Sequence, residues 1–380
     1  VRVTRTFSSL RSEATANNVR CSPVSEETYF ERIVDVEKLA AFLEAELSPV
    51  DEYEVHHHQE GHSNETLFVT WGDDRLVIRR PPPGETADTA HDVLREYRVI
   101  DALQDTDVRV PKTYVASENH DVLGSDFYVM GRVEGDVLRD GEPERFQNPE
   151  ARQQIGYELV TNLARIHQVD YDAVGLEHGD FGYPPGFTER QVDRWSEQLM
   201  WAFDVTADER EVPELYDVMS WLKDNVPEDP PATLVHGDYK LDNVMYGPGA
   251  DPEVVAVMDW EMSTLGDPLT DLGWMLSYWW DPKDPDPPRG DDTANDFMAT
   301  DDYPTRRDLV DRYEELTGFS YDNDRFYRAL AVYKLAGLGE MFFRRYLEGN
   351  SDDDMYPQMR EGVPNLADRA LRIIEGDEPL

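Results

Sequence analysis

The sequence predicts an α+β fold in which a strand-rich N-terminal part precedes a larger, mostly helical C-terminal part. Short apolar runs bounded by turn residues indicate antiparallel strands at 53–55, 66–71, 75–80, 113–116 and 127–132. One main helix, from about Ala90 to Leu103, interrupts these runs. Beyond Gly135 the apolar residues recur three or four positions apart, first at Ile155, Leu159, Leu163 and Ile166. This spacing is typical of helices that bury one face in a core.

Composition divides the chain into three parts. Residues 1–30 are predicted to be a disordered arm, or a start assigned too far upstream, because arginine, serine, threonine and asparagine dominate there. Residues 31–133 form the predicted N-lobe. A polar, glycine-containing stretch after residue 133 marks the lobe boundary, and residues 134–376 form the C-lobe.

The charge of the chain is strongly negative. Its 80 acidic and 36 basic side chains give a formal charge of -44 over 380 residues. Such a surface repels nucleic acid and anionic membranes, so neither is an expected partner. A polycationic substrate is one explanation of the charge, but the acids are spread along the whole chain and lysine is rare. We therefore favour adaptation to a high-salt cytoplasm, where screening is strong.

The cysteine content and the hydropathy of the chain bear on its predicted cellular location. Cys21 is the single cysteine, which excludes an internal disulfide and a cysteine-based metal cluster. No run of about eighteen apolar residues occurs, as a transmembrane helix requires, and no signal-peptide core is visible near the N-terminus. The sequence therefore predicts a cytoplasmic protein, and it leaves the oligomeric state open.

The residues with clearest chemistry lie between Leu234 and Asp271. Two apolar runs flank a turn at 247–250, and polar residues surround this hairpin. Asp238 precedes Asn243 by five residues, and Asp259 ends the second apolar run. The catalytic loop of protein kinases has the same separation between its base and a metal-binding Asn, and a later Asp also binds metal. The pattern predicts phosphoryl transfer, with Asp238 as the catalytic base and Asn243 and Asp259 as magnesium ligands.

Three neighbouring residues receive supporting roles. Lys240 lies two positions after Asp238, where it is expected to act close to the transferred phosphate. His236 is expected to brace the loop rather than to react. Asp271 falls inside a predicted helix after Asp267-Pro268, and a buried carboxylate there needs partners. We expect it to accept hydrogen bonds from backbone amides of the catalytic loop.

Nucleotide-binding residues are expected in the N-lobe. Gly61, Ser63 and Asn64 form a short polar link between two strands, which favours backbone contacts to phosphate or an ordinary turn about equally. A basic residue of the next strand, Arg79 or Arg80, is predicted to pair with Glu96 and to contact the phosphates. The sequence does not choose between the arginines. Met130 lies in an apolar hinge strand whose backbone is a candidate for adenine binding.

Several of these segments resemble the aminoglycoside phosphotransferase family of small-molecule kinases, in particular the kinase domain fused to some acyl-CoA dehydrogenases. The resemblance extends over residues 34–374 and is most specific in the segments HGDYKLDN and MDWE, with support from GHSNETLFV, LVIRRPPPG, REYRVI and FYVMGRVEG. It implies a bilobal protein-kinase-like fold, ATP and Mg²⁺ as cofactors, and transfer of the γ-phosphoryl group to a hydroxyl of a small molecule. The fused dehydrogenase suggests a hydroxyacyl-CoA. Arg79 departs from the lysine that many members have.

Three other functions compete with this one. A nucleotide-binding regulatory module would be expected to lose one of Asp238, Asn243 and Asp259, and all three are present. A metal-dependent phosphohydrolase needs neither a hinge strand nor an Arg–Glu pair. An aminoglycoside or choline-type kinase is the alternative within the same reaction class, and it is less favoured, because the acidity of the chain is already explained by salt adaptation and so does not indicate a pocket for a cationic acceptor. Candidates for the acceptor pocket are Trp195, Trp201, Trp260, Glu261, Tyr278 and Glu340.

Overall fold

The structure, a computed structural model, describes residues 2–6, 26–58, 64–83, 92–284, 296–351, 353–378 and 380. The chain divides into two compact units. The N-terminal unit comprises Val1–Asp105 and Val110–Glu134, and the C-terminal unit comprises Thr106–Arg109 and Gly135–Leu380.

The N-terminal unit is built on one antiparallel sheet. Its strands are β1 (Arg2–Thr6), β2 (Glu52–His58), β3 (Glu65–Trp71), β4 (Asp74–Arg80), β5 (Thr113–Ser117) and β6 (Phe127–Gly131), in the spatial order β1-β2-β3-β4-β6-β5. Its helices are α1 (Glu26–Ile33), α2 (Val36–Glu46), α3 (Val93–Ala102) and α4 (His120–Leu123). Leu67, Ile78 and Val129 from the sheet join Leu39 and Leu43 of α2 in a fully buried core. Glu96 of α3 is buried as well.

Two described segments contradict the prediction that residues 1–30 form a disordered arm. Arg2–Thr6 forms strand β1 and pairs antiparallel with Glu52–His58, and α1 begins at Glu26. The edge of β2 has backbone N–H and C=O groups that can form hydrogen bonds with an added strand. Val and Thr, which occur in residues 2–6, favour extended backbone. Composition alone does not reveal such an edge. The rest of the arm, residues 7–25, lies outside the described residues.

The C-terminal unit is mostly helical, with two small sheets. Its helices are α5 (Pro149–His167), α6 (Phe187–Thr206), α7 (Glu214–Asp224), α8 (Pro268–Ser277), α9 (Arg306–Thr317), α10 (Asp324–Leu347) and α11 (Met359–Glu375). The strands β7 (Asp136–Val137), β9 (Val244–Tyr246) and β10 (Val254–Val257) form one sheet, and β8 (Thr233–Val235) pairs with β11 (Thr264–Gly266) in the other. The predicted α+β class, with a sheet unit followed by a larger helical unit, is confirmed.

Helix α8 packs closely on α10. A Cβ atom at Gly273 of α8 would lie 2.8 Å from the backbone oxygen of Tyr327, so only glycine allows this approach. Asp267 caps α8 by accepting from the Leu269 amide and also accepts from the Tyr327 hydroxyl at 2.7 Å. Burial raises the pKa of Asp267 to about 6, although these hydrogen bonds oppose the shift. Within the described ranges, no helix is both long and apolar enough to cross a membrane.

Candidate active site

The side chain of Asp271 in α8 anchors the loop that follows β8. The Asp271 carboxylate accepts from the backbone N–H of His236 at 2.6 Å and from that of Gly237 at 2.9 Å. Gly237 adopts φ 83°, a left-handed conformation that suits glycine. The predicted role of Asp271, an anchor for backbone amides of the loop, is confirmed.

A buried histidine completes the surroundings of Asp271. His167, at the end of α5, contacts the Asp271 carboxylate through Nε2 at 3.3 Å and the Tyr313 hydroxyl through Nδ1 at 2.6 Å. Burial alone would raise the pKa of Asp271, but the hydrogen bond and charge of His167, with the nearby His236, hold it below the ordinary value. Asp271 is therefore an ionised, hydrogen-bonded carboxylate in the core.

Replacing Asp271 should destabilise the C-terminal unit. In Asp271→Asn one carboxylate oxygen becomes an NH₂ donor that faces a backbone N–H, and we expect a loss of about 2–4 kcal/mol in the free energy of unfolding. Denaturant titration measures this loss, with the exposed Asp217→Asn on α7 as the control. An equal stability of both variants would contradict the anchoring role.

The destabilisation should also depend on pH. Because the folded pKa of Asp271 is lowered, its stabilisation is complete above the unfolded value of about 3.9 and is lost as pH falls through the folded value. The stability difference between wild type and Asp271→Asn should therefore stay constant near neutral pH and shrink below about pH 4.

Asp238 is held at both carboxylate oxygens. The indole N–H of Trp274 donates to Oδ1 at 2.8 Å, and the side-chain amide of Asn243 donates to Oδ2 at 2.8 Å. The ammonium of Lys240 lies 3.6 Å from Oδ2. The structure thus brings Asp238, Lys240 and Asn243 together, and it adds Trp274, which the sequence did not single out.

Asn243 and Asp259 become neighbours through the β9–β10 pairing. Val244 pairs with Val257, and the amide of Met258 donates to the Asn243 carbonyl at 2.9 Å, so the chain reaches Asp259 beside Asn243. The His236 ring also contacts the residue before Asp259, because its Nε2 lies 2.9 Å from the Met258 carbonyl oxygen. This contact agrees with the predicted structural role of His236. In the described part of the chain, Asp259 is the one non-glycine residue with positive φ, at 65°. Such a conformation costs about 1–3 kcal/mol and is often retained for function.

The donor atoms at this point suit magnesium. The side-chain amide nitrogen of Asn243 donates hydrogen bonds to the backbone oxygen and to the carboxylate of Asp238. The side-chain amide oxygen of Asn243 is therefore the atom that remains to bind a metal ion. Together with the Asp259 carboxylate it supplies hard oxygen ligands of the kind Mg²⁺ prefers. Among the described residues no group of three or more His, Cys, Asp or Glu suits a metal ion. A two-residue site fits magnesium, which commonly takes further ligands from water and phosphate.

The predicted nucleotide-binding residues belong to the N-terminal unit. Arg79 Nε lies 3.7 Å from a carboxylate oxygen of the buried Glu96, whereas Arg80 donates to the carbonyls of Ile33 and Leu123 at 2.6 and 2.8 Å. Arg79 is therefore the arginine paired with Glu96, and Arg80 has a structural role.

The remaining candidates of this unit are described in part. Asn64, the residue before β3, is buried, and Met130 lies in β6, paired with Val77 of β4. Gly61 and Ser63 lie outside the described residues, so their predicted contacts to phosphate remain predictions.

A cavity of about 80 Å³ lies next to the Asp238 loop, within the C-terminal unit. Its wall includes Gly237 and Trp274, together with Trp195 of α6 and Lys334 of α10. The Lys334 ammonium donates to the Gly237 carbonyl at 2.7 Å and lies 3.8 Å from the centroid of the Trp274 ring. Lys334 was not among the sequence candidates. The available signal was its rarity, since the chain contains only six lysines.

The proposed acceptor-pocket residues have different surroundings. Trp195 lines the cavity. Trp260 is fully buried against the His236 ring at 4.8 Å, and Glu340 is fully buried and paired with Arg210 at 2.7 Å, so both have structural roles. Trp201 is exposed, with the Arg344 guanidinium 3.7 Å from its ring. Of these residues, only Trp195 has a place in the described cavity.

The chain is similar in sequence to several known proteins. The model of the phosphotransferase enzyme family (APH) matches residues 54–309. Acyl-CoA dehydrogenase family member 11 from Gallus gallus is 32% identical over 329 residues, and the human protein of that name is 32% identical over 317 residues. These alignments span 86% and 82% of this chain but only 41% and 39% of the relatives. The chain thus spans about two fifths of the length of these relatives.

Solved structures show the same fold. A putative aminoglycoside phosphotransferase from Ralstonia eutropha JMP134 is 29% identical, with a TM-score of 0.75, and the match covers 90% of this chain and 98% of that one. The aminoglycoside phosphotransferase APH(4)-Ia, in a complex with AMP-PNP and hygromycin B, matches with a TM-score of 0.56 at 17% identity, over 88% of this chain and 98% of that one. The chain therefore belongs to the phosphotransferase enzyme family (APH) and has the fold of the Ralstonia eutropha protein.

Proposed function

We propose that this protein transfers the γ-phosphoryl group of ATP to a hydroxyl group of a small molecule in a magnesium-dependent reaction. The observation that supports this most is the Asp238 carboxylate, held by Trp274 and Asn243 on its two oxygens. Both contacts fix its orientation while leaving lone pairs for a substrate hydroxyl. A carboxylate so placed orients the acceptor and receives its proton.

The neighbouring groups have complementary roles in this proposal. Asn243 and Asp259 hold Mg²⁺, which would neutralise charge on the phosphate oxygens when bound. Lys240, beside Asp238, stabilises negative charge on the transferred phosphoryl group. The Asp271 anchor keeps the loop that carries Asp238 in one conformation, so little reorganisation is needed during the reaction.

The nucleotide is assigned to residues of the N-terminal unit. Arg79, oriented by Glu96, binds phosphate oxygens, and its planar guanidinium does so in a geometry different from that of lysine. The backbone of Gly61, Ser63 and Asn64 contributes amide donors, and the strand that contains Met130 meets the adenine ring.

We infer an acyl compound as the acceptor, either a hydroxyacyl-CoA or the corresponding hydroxy acid. The inference comes from the relatives, whose names contain acyl-CoA dehydrogenase. The relatives are more than twice as long as the segment that aligns with this chain. The identity of the acceptor is therefore a proposal for this chain.

A consumption assay tests the proposal. Purified protein is given Mg²⁺-ATP with hydroxyacyl-CoAs, hydroxy acids, sugars, amino-alcohols, choline-like amines or aminoglycosides, in molar salt and in dilute buffer. We expect acceptor-dependent formation of ADP and of a phosphate monoester, with highest activity in high salt. Binding of ATP without turnover on any alcohol would instead support a regulatory module.

A further inference from the structure

Lys334 of α10 holds the peptide group that leads into Asp238. Its ammonium donates to the Gly237 carbonyl at 2.7 Å, and the Asp271 carboxylate accepts from the N–H of the same glycine at 2.9 Å. Glycine allows many backbone conformations, so the peptide between residues 237 and 238 is free to rotate unless a partner fixes it. The bond from Lys334 selects one orientation of this peptide, and with it the direction in which the Asp238 side chain leaves the loop.

The same ammonium also fixes the indole that donates to Asp238. It lies 3.8 Å from the centroid of the Trp274 ring, and the Trp274 N–H donates to Asp238 Oδ1 at 2.8 Å. A cation over the face of an indole is attracted to its π-electrons and so holds the ring in place. The cation also polarises the ring, which makes the indole N–H a stronger donor. Lys334 therefore contacts both the peptide before Asp238 and the donor to its carboxylate.

The charge of Lys334 is compensated by groups of the protein itself. Burial lowers the pKa of Lys334 to about 8, and below that pH the side chain is mainly protonated. The charged groups around it are two carboxylates, which raise this pKa, and two cations, which lower it: Asp238, Asp271, Lys240 and Arg194. Because the carboxylates, the Gly237 carbonyl and the Trp274 ring already stabilise the ammonium, its role is to be sought inside the site.

We propose that Lys334 is a positioning residue that aligns the Asp238 carboxylate with the acceptor hydroxyl. It acts through two groups, the Gly237 carbonyl and the Trp274 indole. The inference rests on the proposed function, in which Asp238 is the base, and it requires no contact between Lys334 and a substrate. A carboxylate that can turn away loses part of the advantage of a fixed geometry, so the role of Lys334 should appear in kcat rather than in nucleotide affinity.

Steady-state kinetics with an accepted alcohol tests the effect on turnover. Lys334→Met keeps the length of the side chain and removes the ammonium, and we expect kcat to fall about 10- to 100-fold, the range for a hydrogen bond to a charged group. The Kd of Mg²⁺-ATP, measured by calorimetry, should stay close to that of wild type. Lys334→Arg keeps the charge and should restore part of kcat. Lys223→Met on α7, an exposed lysine paired with Asp193, is the matched control and should keep the kcat of wild type.

A spectroscopic readout separates positioning from a purely structural role and needs no turnover. In protein with isotope-labelled tryptophan, the indole N–H resonance of Trp274 is the one, among those of eight tryptophans, that is lost in Trp274→Phe. A hydrogen bond to a carboxylate is strong, and its proton resonates at high frequency. We expect this resonance to move to lower frequency in Lys334→Met, to lie in between in Lys334→Arg, and to be unchanged in Lys223→Met.

A double variant tests whether Lys334 and Trp274 act on the same carboxylate. Trp274→Phe keeps an aromatic ring and removes the donor to Asp238. If both residues act through Asp238, the loss of kcat in the variant with both Lys334→Met and Trp274→Phe should be smaller than the product of the two single losses. A loss equal to that product would show that the two residues act independently, and it would overturn their shared role.

The outcomes also distinguish this inference from the proposed function. If Lys334→Met lowers only the unfolding temperature and keeps the kcat and the Trp274 resonance of wild type, Lys334 is structural and the inference is overturned. A loss confined to the affinity for Mg²⁺-ATP overturns it as well. If the wild type phosphorylates no alcohol, the proposed function fails, and the Trp274 resonance still decides whether Lys334 aligns Asp238. Lys334→Gln, which keeps a donor and removes the charge, gives the same comparison if Lys334→Met does not fold.

Discussion

Asp238→Asn should lower kcat by about 10²- to 10⁴-fold, the usual contribution of a positioned acid or base. The variant loses the negative charge that orients the acceptor hydroxyl and takes its proton. Its remaining carbonyl oxygen can still accept from Trp274, and Asn243 keeps its bond to the residue 238 backbone oxygen at 2.8 Å. Affinity for the nucleotide should therefore remain close to that of wild type.

Steady-state kinetics and calorimetric titration with Mg²⁺-ATP measure the two quantities separately. The control is Asp204→Asn, a change of the same type at an exposed position of α6. Turnover equal to that of wild type would disprove the assignment of Asp238 as the base. A parallel loss of nucleotide affinity would show that Asp238 acts through the metal site instead.

The second large effect is expected at Asp259. Loss of its carboxylate should abolish the dependence of nucleotide affinity on magnesium and lower kcat/KM by ~10³-fold, because a metal ion contributes several kcal/mol to charge stabilisation. The backbone decides which variant is informative. At φ 65° alanine adds strain, whereas asparagine tolerates this region.

Asp259→Asn and Asp259→Ala should therefore differ in stability but agree in function. Calorimetry with ATP, with and without Mg²⁺, measures the affinity, and thermal unfolding measures the stability. We expect Asp259→Asn to unfold near the temperature of wild type and Asp259→Ala at a lower one. An unchanged response to magnesium in both variants would remove Asp259 from the metal site.

Local spacing in the sequence was sufficient to predict that Asp238, Lys240 and Asn243 lie together beside a hairpin. Asp238, Lys240 and Asn243 lie within six residues, so a short loop brings them together whatever the rest of the chain does. Asp259 follows at the end of a paired strand, and strand pairing also needs only local information. The anchoring role of Asp271 was predictable because a buried carboxylate requires donors.

The contacts made by distant helices were not predictable in the same way. Trp274 and Lys334 lie 36 and 97 positions from their partners in the loop, Asp238 and Gly237. A tryptophan or lysine at helical spacing can lie in a core or on a surface. Only the packing of α8 and α10 determines that Trp274 and Lys334 contact the loop. The same holds for Arg79 and Arg80, whose side chains leave opposite faces of one strand. Pairing with Glu96 required knowing which face α3 covers.

Helix α8 links the chemistry to the spacing between two helices. Asp271 and Trp274 are three residues apart, so one face of α8 supports the loop backbone and the Asp238 carboxylate together. Gly273, between them, sets the distance from α8 to α10, which carries Lys334. A side chain at this position would displace the anchor and the indole as one body. The positions of the Asp271 and Trp274 side chains under the Asp238 loop thus depend on how closely α8 and α10 pack in the core.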